Sequence, residues 1–217
     1  LPGIALAVIF TNAPIADIIW PSIIGILSVC FTASANYVIN EWLDAEFDRH
    51  HPIKKNRPSV GGQLQAKYVY IEYFCLIVIS LSLGSLLTTE FMVFSVVLLI
   101  MGVLYNVKPI RTKDRAYMDV LSESINNPLR LLLGWSAIVT GALPPSSALL
   151  AYWMGGAFLM AIKRYAEYRF IDDPERAGLY RKSFKIYTEE SLLLSSFFYA
   201  LSSAFFLGIF LIKYKIE

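Results

Sequence analysis

Asn40, Asp44 and Asp48 stand at i, i+4 and i+8 in the run Asn40-Glu41-Trp42-Leu43-Asp44-Ala45-Glu46-Phe47-Asp48. On a helix these positions fall within an arc of about 80°, rising roughly 1.5 Å per residue. Two carboxylates and an amide oxygen on one face form a hard donor set. Such a set suits Mg²⁺, which takes one or two carboxylates and leaves other positions for phosphate. Asp44, Asp48 and Asn40 are therefore the candidate metal ligands, with Asp44 and Asp48 also candidate catalytic groups. A basic run follows at once, Arg49-His50-His51-Pro52-Ile53-Lys54-Lys55-Asn56-Arg57-Pro58, and then Gly61-Gly62. Lys54, Lys55 and Arg57 are placed to receive a phosphate. The prolines and glycines give their loop a fixed shape.

The elements that carry these groups belong in a membrane. Of 217 residues, 56% are hydrophobic and 17% charged, and the mean hydropathy is +0.54. Soluble domains of this size rarely have this balance, whereas multi-span proteins do. Seven apolar segments can be read, at about 1–16, 21–42, 68–88, 90–105, 119–140, 147–163 and 190–212. Each approaches the ~20 residues a spanning helix needs, the first and fourth being short. The fold class expected is all-α, a multi-span transmembrane bundle in one domain over 1–217. The connections at Thr11–Pro21, Thr88–Glu90 and Gly141–Ser147 hold no Lys or Arg, whereas Arg49–Lys67, Lys108–Arg115 and Lys163–Lys185 hold nearly all of them. That asymmetry assigns the basic loops to the cytoplasm. Lys213 and Lys215 then fall on the outer side, against the trend. Cys30 and Cys75 lie in apolar runs and read as small buried hydrophobes without disulfide or metal spacing.

Two further constellations sit on the basic side. One is Tyr105-Asn106-Val107-Lys108-Pro109-Ile110-Arg111-Thr112-Lys113, followed by Asp119, Glu123, Asn126, Asn127 and Arg130. Arg130 is the one basic residue deep in an apolar segment, and a buried Arg requires partners. Glu123, two turns away on the same face, is the expected one, either as a structural ion pair or as part of a polar cavity wall. Asn127-Pro128 is expected to kink this helix. The other constellation is Lys163-Arg164-Tyr165-Ala166-Glu167, at the membrane edge, with Arg176–Lys185 read as a solvated amphipathic linker. The candidate catalytic set thus includes Arg130. The candidate binding set comprises Asn40, Lys54, Lys55, Arg57, Tyr105, Lys108, Asp119, Glu123, Lys163, Arg164 and Glu167. His50 and His51 lack zinc-ligand spacing, and no Walker loop, GxGxxG or GxSxG is present. No nucleic-acid partner is expected.

The pattern Asn40-Glu41-xx-Asp44-xxx-Asp48, extended through Arg49, His51, Pro52, Lys54, Arg57 and Pro58, resembles the first Asp-rich motif of the UbiA-type intramembrane prenyltransferase superfamily. Within it, Tyr105 to Lys108, Asp119, Arg130, Lys163 to Glu167 and Tyr187-Thr188 are similar to the branch of decaprenyl-phosphate phosphoribosyltransferases. The resemblance implies a helical horseshoe around a polar cavity open to lipid on one side. It implies Mg²⁺ on Asp44 and Asp48, and a bacterial or archaeal plasma membrane with the site on the cytoplasmic face. Two departures stand out. The superfamily has nine spans against the seven read here, so the chain is expected to be incomplete at one or both ends or to lack two helices. A second Asp-xxx-Asp pair, usual in users of prenyl diphosphates, is replaced by Lys163-Arg164 and Glu167, while Asp172, Asp173 and Glu175 have the wrong spacing.

Three readings remain in play. The first is an Mg²⁺-dependent transferase moving phosphoribosyl from phosphoribosyl diphosphate to a polyprenyl phosphate. The second keeps the fold but transfers a prenyl group from a prenyl diphosphate to an aromatic or lipid acceptor. The third, a transporter, is disfavoured because the charges cluster on one side and not at the midplane. Nothing in the chain marks the prenyl chain length or an oligomeric state.

Overall fold

In a computed structural model, residues 1–214 are described, and among them the secondary structure is entirely helical. The helices are α1 (Pro2–Thr11), α2 (Ile15–Asp48), α3 (Ala66–Gly84), α4 (Thr89–Asn106), α5 (Met118–Ser124), α6 (Asn126–Ser136), α7 (Ser146–Ile171), α8 (Pro174–Tyr180) and α9 (Glu189–Tyr214). Four of them, α2, α3, α4 and α9, are long and apolar enough to cross a membrane. Their outward faces carry Ile23, Phe74, Phe197 and Phe205, all exposed. Lys215 lies outside the described residues.

Helix α2 has 34 residues, about 50 Å at 1.5 Å per residue. A hydrocarbon core of about 30 Å covers only part of that. The last turns, from Asn40 to Asp48, therefore emerge at the interface as a rigid extension of a spanning helix. Small polar residues hold α2 to α3. Ser28 Oγ donates to the Ser80 carbonyl at 2.9 Å, and Thr32 Oγ1 and Ser80 Oγ share a bond of 2.5 Å. Such pairs satisfy hydroxyls where lipid offers no partner. The central core is Val29, Phe91, Leu98, Leu129 and Leu133, joining α2, α4 and α6.

The segment 119–140 is not one helix. It breaks between α5 and α6 at Ile125. Pro128 has no N–H to give the Ser124 carbonyl, four residues back. The interruption thus falls one helical turn before the proline, upstream of the kink expected at Asn127-Pro128. Pro128 itself sits in the first turn of α6, where a missing N–H costs nothing. Cys30 and Cys75 are free and exposed on apolar outer faces, not buried. In a bilayer protein an apolar run has a lipid side as well as a core side, so apolarity alone does not give burial.

The three basic connections converge at one end of the bundle. Lys54 Nζ meets Glu167 Oε1 at 2.7 Å, Lys182 meets Asp114 at 3.5 Å, and Arg176 Nε donates to the His50 carbonyl at 2.9 Å. At the other end Glu90 accepts the Gly141 N–H. The stretch 176–185 is not a solvated linker. Ala177, Tyr180, Phe184 and Tyr187 are buried with Ile171 and Leu192 in a cap over the basic end.

Candidate active site

Helix α2 delivers Asn40, Asp44 and Asp48 to one face, as their spacing demands. Arg111 Nη2 donates to Asp44 Oδ1 at 2.9 Å, and Lys113 Nζ pairs with the same oxygen. Arg57 Nη1 donates to Asp48 Oδ2 at 2.8 Å. Lys113 also donates to Asn40 Oδ1 at 3.0 Å and to Asn106 Oδ1 at 2.6 Å. Arg111 and Lys113 are both buried, and the Arg111 guanidinium lies over the Phe47 ring at 4.5 Å. Burial pulls the Lys113 ammonium down to about 8, against the opposing pull of Asp44. Asp44, Asp48, Arg111, Lys113, Tyr180 and Arg181 line one cleft. Arg181 Nε is buried there without a hydrogen-bond partner among the described residues.

Behind the cleft lies a buried ionic network centred on Arg164, which is 0% exposed. Its Nε reaches Asp119 at 3.3 Å, its Nη1 reaches Glu167 at 3.3 Å, and its Nη2 reaches Tyr105 Oη at 3.0 Å and Glu123. Asp119 also accepts from Ser183 Oγ at 3.0 Å and Tyr187 Oη at 2.7 Å. Burial and the Asp119 charge push the Tyr187 hydroxyl far above its ordinary range, so it stays a donor. Every guanidinium nitrogen of Arg164 and both carboxylate oxygens of Asp119 are engaged within the protein, which ties α5 to α7.

A polar cavity of about 230 Å³ opens beside the network, lined by Asn36, Asn40, Tyr105, Glu123, Asn126, Asn127, Arg130 and Lys163 among others. Arg130 is half-buried there. Glu123 makes no ion pair with it among the described residues, its carboxylate being taken up by other groups. Glu123 is instead held by Arg164, by Lys163 at 3.6 Å and by Tyr105 Oη at 2.7 Å. Lys55 and Lys108 are exposed and join neither cleft nor cavity. His51 is buried and accepts at Nδ1 from the N–H groups of Ile53 and Lys54, both at 3.1 Å. Burial and Lys54 hold its pKa below the ordinary 6.5.

Arg111, Lys113, Tyr180, Arg181 and Ser183 lie outside the candidate site residues read from the sequence, and Tyr187 enters that reading only through the family resemblance. Arg111 and Lys113 carried a signal, since they lie in the segment already singled out. Arg181 and Tyr180 did not, because a charged amphipathic stretch looks the same whether it faces water or caps a site.

A model of the UbiA prenyltransferase family matches residues 1–215. The chain belongs to the UbiA prenyltransferase family. It is 32% identical over 181 residues to a decaprenyl-phosphate phosphoribosyltransferase of Corynebacterium glutamicum, covering 83% of this chain and 52% of that protein. A protoheme IX farnesyltransferase of Alkalihalophilus pseudofirmus is 27% identical over 173 residues, covering 77% of this chain and 54% of that protein. The chain thus spans about half the length of the curated relatives it matches. A UbiA homologue from Archaeoglobus fulgidus, solved bound to DMAPP and Mg²⁺, superposes with a TM-score of 0.78 at 21% identity, covering 95% of this chain and 71% of that one. The all-helical UbiA fold is therefore shown, and the membrane setting follows from family and apolar helices together.

The family makes Mg²⁺ the group to test against these residues. Asp44 is engaged through Oδ1 and Asp48 through Oδ2, so the second oxygen of each carboxylate carries none of these bonds. Among the described residues no cluster of three or more His, Cys, Asp or Glu forms a closed metal cage. Two carboxylates with a neighbouring amide fit a cation that completes its shell with phosphate and water.

Proposed function

We propose that the chain is the donor-binding part of an Mg²⁺-dependent transferase. It moves phosphoribosyl from phosphoribosyl diphosphate to a polyprenyl phosphate at the cytoplasmic face of a prokaryotic plasma membrane. The observation that carries this reading is the composition of the site. Cations from Arg111, Lys113 and Arg181 surround one acid pair, and the place of a second acid pair is taken by Lys163, Arg164 and Glu167. A donor needing one metal site and direct phosphate contacts fits this set. The relatives named phosphoribosyltransferases support the same choice.

In the reaction, a lipid phosphate oxygen forms a bond to the sugar C1 as the bond from C1 to diphosphate breaks. Asp44 and Asp48, with Asn40, would hold Mg²⁺, whose charge offsets that of the leaving diphosphate. Arg111, Lys113 and Arg181 present further positive charge to it, preorganised by their bonds to Asp44, Asn40 and Tyr105. Charge fixed in advance against developing charge is the main catalytic term of such a site. Arg164, Asp119, Glu123 and Glu167 hold the helices that carry these groups.

A second reading, prenyl transfer from a prenyl diphosphate, is favoured by the farnesyltransferase relatives and by the neighbours bound to DMAPP or GPP with Mg²⁺. Incubation with labelled phosphoribosyl diphosphate plus polyprenyl phosphate, and separately with labelled prenyl diphosphate plus acceptors, separates the two. We expect labelled lipid only in the first. Product only in the second replaces the reading with ordinary prenyl transfer, and product in neither removes both. For sidedness, cysteines introduced at Asn56 and Arg115 are expected to label from the cytoplasm, and Pro145→Cys from outside. Labelling of all three from one side refutes the topology.

A further inference from the structure

Helices α2 and α3 frame a second recess, of about 350 Å³, at the basic end of the bundle. It shares no lining residue with the cleft or the inner cavity. Helix α2 contributes Glu41 and Trp42, and α3 contributes Tyr68 and Glu72. Gln63 and Gln65 add two amides from the loop before α3. The recess is thus lined by two carboxylates and by no Lys or Arg. This is the end of the molecule where the loops hold nearly all the cations. Among the described residues neither acid makes an ion pair. Glu41 accepts from Ser59 Oγ at 3.3 Å, and Glu72 is exposed.

The depth of Glu72 gives that imbalance its meaning. Helix α3 has 19 residues, about 28 Å at 1.5 Å per residue, so nearly all of it is needed to cross a hydrocarbon core of about 30 Å. Glu72 stands about 9 Å past the start of the helix, on a surface that also exposes Tyr68, Ile71 and Phe74. A lone carboxylate facing lipid at that level is costly and marks a functional site. Its cost falls where a cation reaches it. From the lipid side, the ammonium of a zwitterionic head group is such a cation. Trp and Tyr rings sit at head-group level, and the ring faces of Trp42 and Tyr68 attract a cation as well. An anionic head group, which the neighbouring basic loops would draw in, is repelled by Glu41 and Glu72. Val38 and Val69 leave apolar surface in the same recess for the start of an acyl chain.

We propose that this recess binds a membrane lipid with an ammonium head group. Glu41 and Glu72 accept from the ammonium, Trp42 and Tyr68 offer it their rings, and the Gln63 and Gln65 amides donate to the lipid phosphate. The site lies outside the reaction proposed above and stands whichever donor the chain uses.

The test is native mass spectrometry of the chain purified in detergent and titrated with phosphatidylethanolamine and phosphatidylglycerol of the same acyl chains. We expect the unmodified chain to retain phosphatidylethanolamine about tenfold more strongly, the combined effect of a cation–π contact and exposed ion pairs. Glu72→Gln and Glu41→Gln should each reduce that preference to about twofold or less. Trp42→Leu should reduce it as well, whereas Trp42→Phe keeps a ring and should retain part of it. An unchanged thermal midpoint in lipid-free detergent shows that a variant is folded. Glu72→Gln decides the matter if Glu41→Gln loosens the Ser59 bond and lowers that midpoint, since the Glu72 side chain is exposed. Equal retention of both lipids by the unmodified chain, or a preference that survives Glu72→Gln, overturns the site. Retention of a lysine-rich peptide in place of phosphatidylethanolamine, lost in Glu72→Gln, would give the recess to a basic protein segment and overturn the lipid.

Discussion

The cleft at the end of α2 and the cavity beside it are built from similar residues and arranged in opposite ways. In the cleft every acid already has a cation: Asp44 with Arg111 and Lys113, Asp48 with Arg57. In the cavity, among the described residues, Asn36 and Asn126 keep buried oxygens without hydrogen-bond partners and Arg130 makes no ion pair. The pairing in the cleft gives two carboxylates cation partners at the membrane edge and stores cations that a phosphate can recruit. Such charges would be costly unpaired. The cavity's unpartnered oxygens belong to neutral amides, which tolerate being unpaired better than buried charges do, and Arg130, which makes no ion pair among the described residues, is only half-buried.

Four experiments bear on this contrast. The largest effect is expected from Asp44→Asn and Asp48→Asn. Each should lower Mg²⁺-dependent turnover by about a thousandfold while the protein still folds, since the amide keeps the shape and loses the charge that attracts the cation. Near-normal turnover of either variant removes that residue from the metal set.

Next comes Arg164→Ala. It leaves Asp119, Glu123 and Glu167 buried without their shared guanidinium, at a cost of roughly 3–5 kcal/mol. A large drop in thermal midpoint should accompany the loss of activity. Lost activity in a chain of unchanged stability would instead make Arg164 a ligand-binding group. Arg164→Lys should recover little, because an ammonium cannot serve four partners in a plane.

Arg130→Leu tests the cavity side alone. The half-saturating concentration of phosphoribosyl diphosphate should rise about tenfold, with inorganic diphosphate binding almost unmoved. Equal weakening of both probes would merge cavity and cleft into one anion site.

The smallest effect concerns His51, whose neutral ring caps the loop carrying Lys54 and Arg57. Its folded pKa lies below the ordinary 6.5, so the unfolded chain takes up the proton first. The ring's contribution is complete above about pH 6.5 and declines as the pH falls below it. Protection of the Ile53 and Lys54 amides against hydrogen exchange, corrected for the intrinsic rate at each pH, should fall over that range. Protection that stays constant between about pH 7 and 5 would show that the cap is not titrated there.

Legibility differed from place to place. Asn40, Asp44 and Asp48 could be read because a helix converts spacing into a common face without help from the rest of the chain. The convergence of the basic loops was legible for a similar reason, since charge asymmetry and alternation of spans act along the sequence. Arg181 was not, because its partners Tyr105 and Asp119 lie on other helices. The Glu123–Arg130 pairing failed because Glu123 is held by Arg164 and Lys163 of α7 and by Tyr105 of α4, partners that spacing along one segment cannot reveal.

By itself, then, the sequence determined the membrane class, the α2 acid face, the basic end and the family motif, all set by short-range periodicity and hydropathy. Only the tertiary structure decided which cations meet Asp44, that Arg164 is a buried hub, and that Asn36 Oδ1 packs against Gly102 without a hydrogen bond among the described residues. Those depend on how close two helices come and on which turn of one faces which turn of the other. Helix spacing is set by packing across the bundle, and no single segment encodes it.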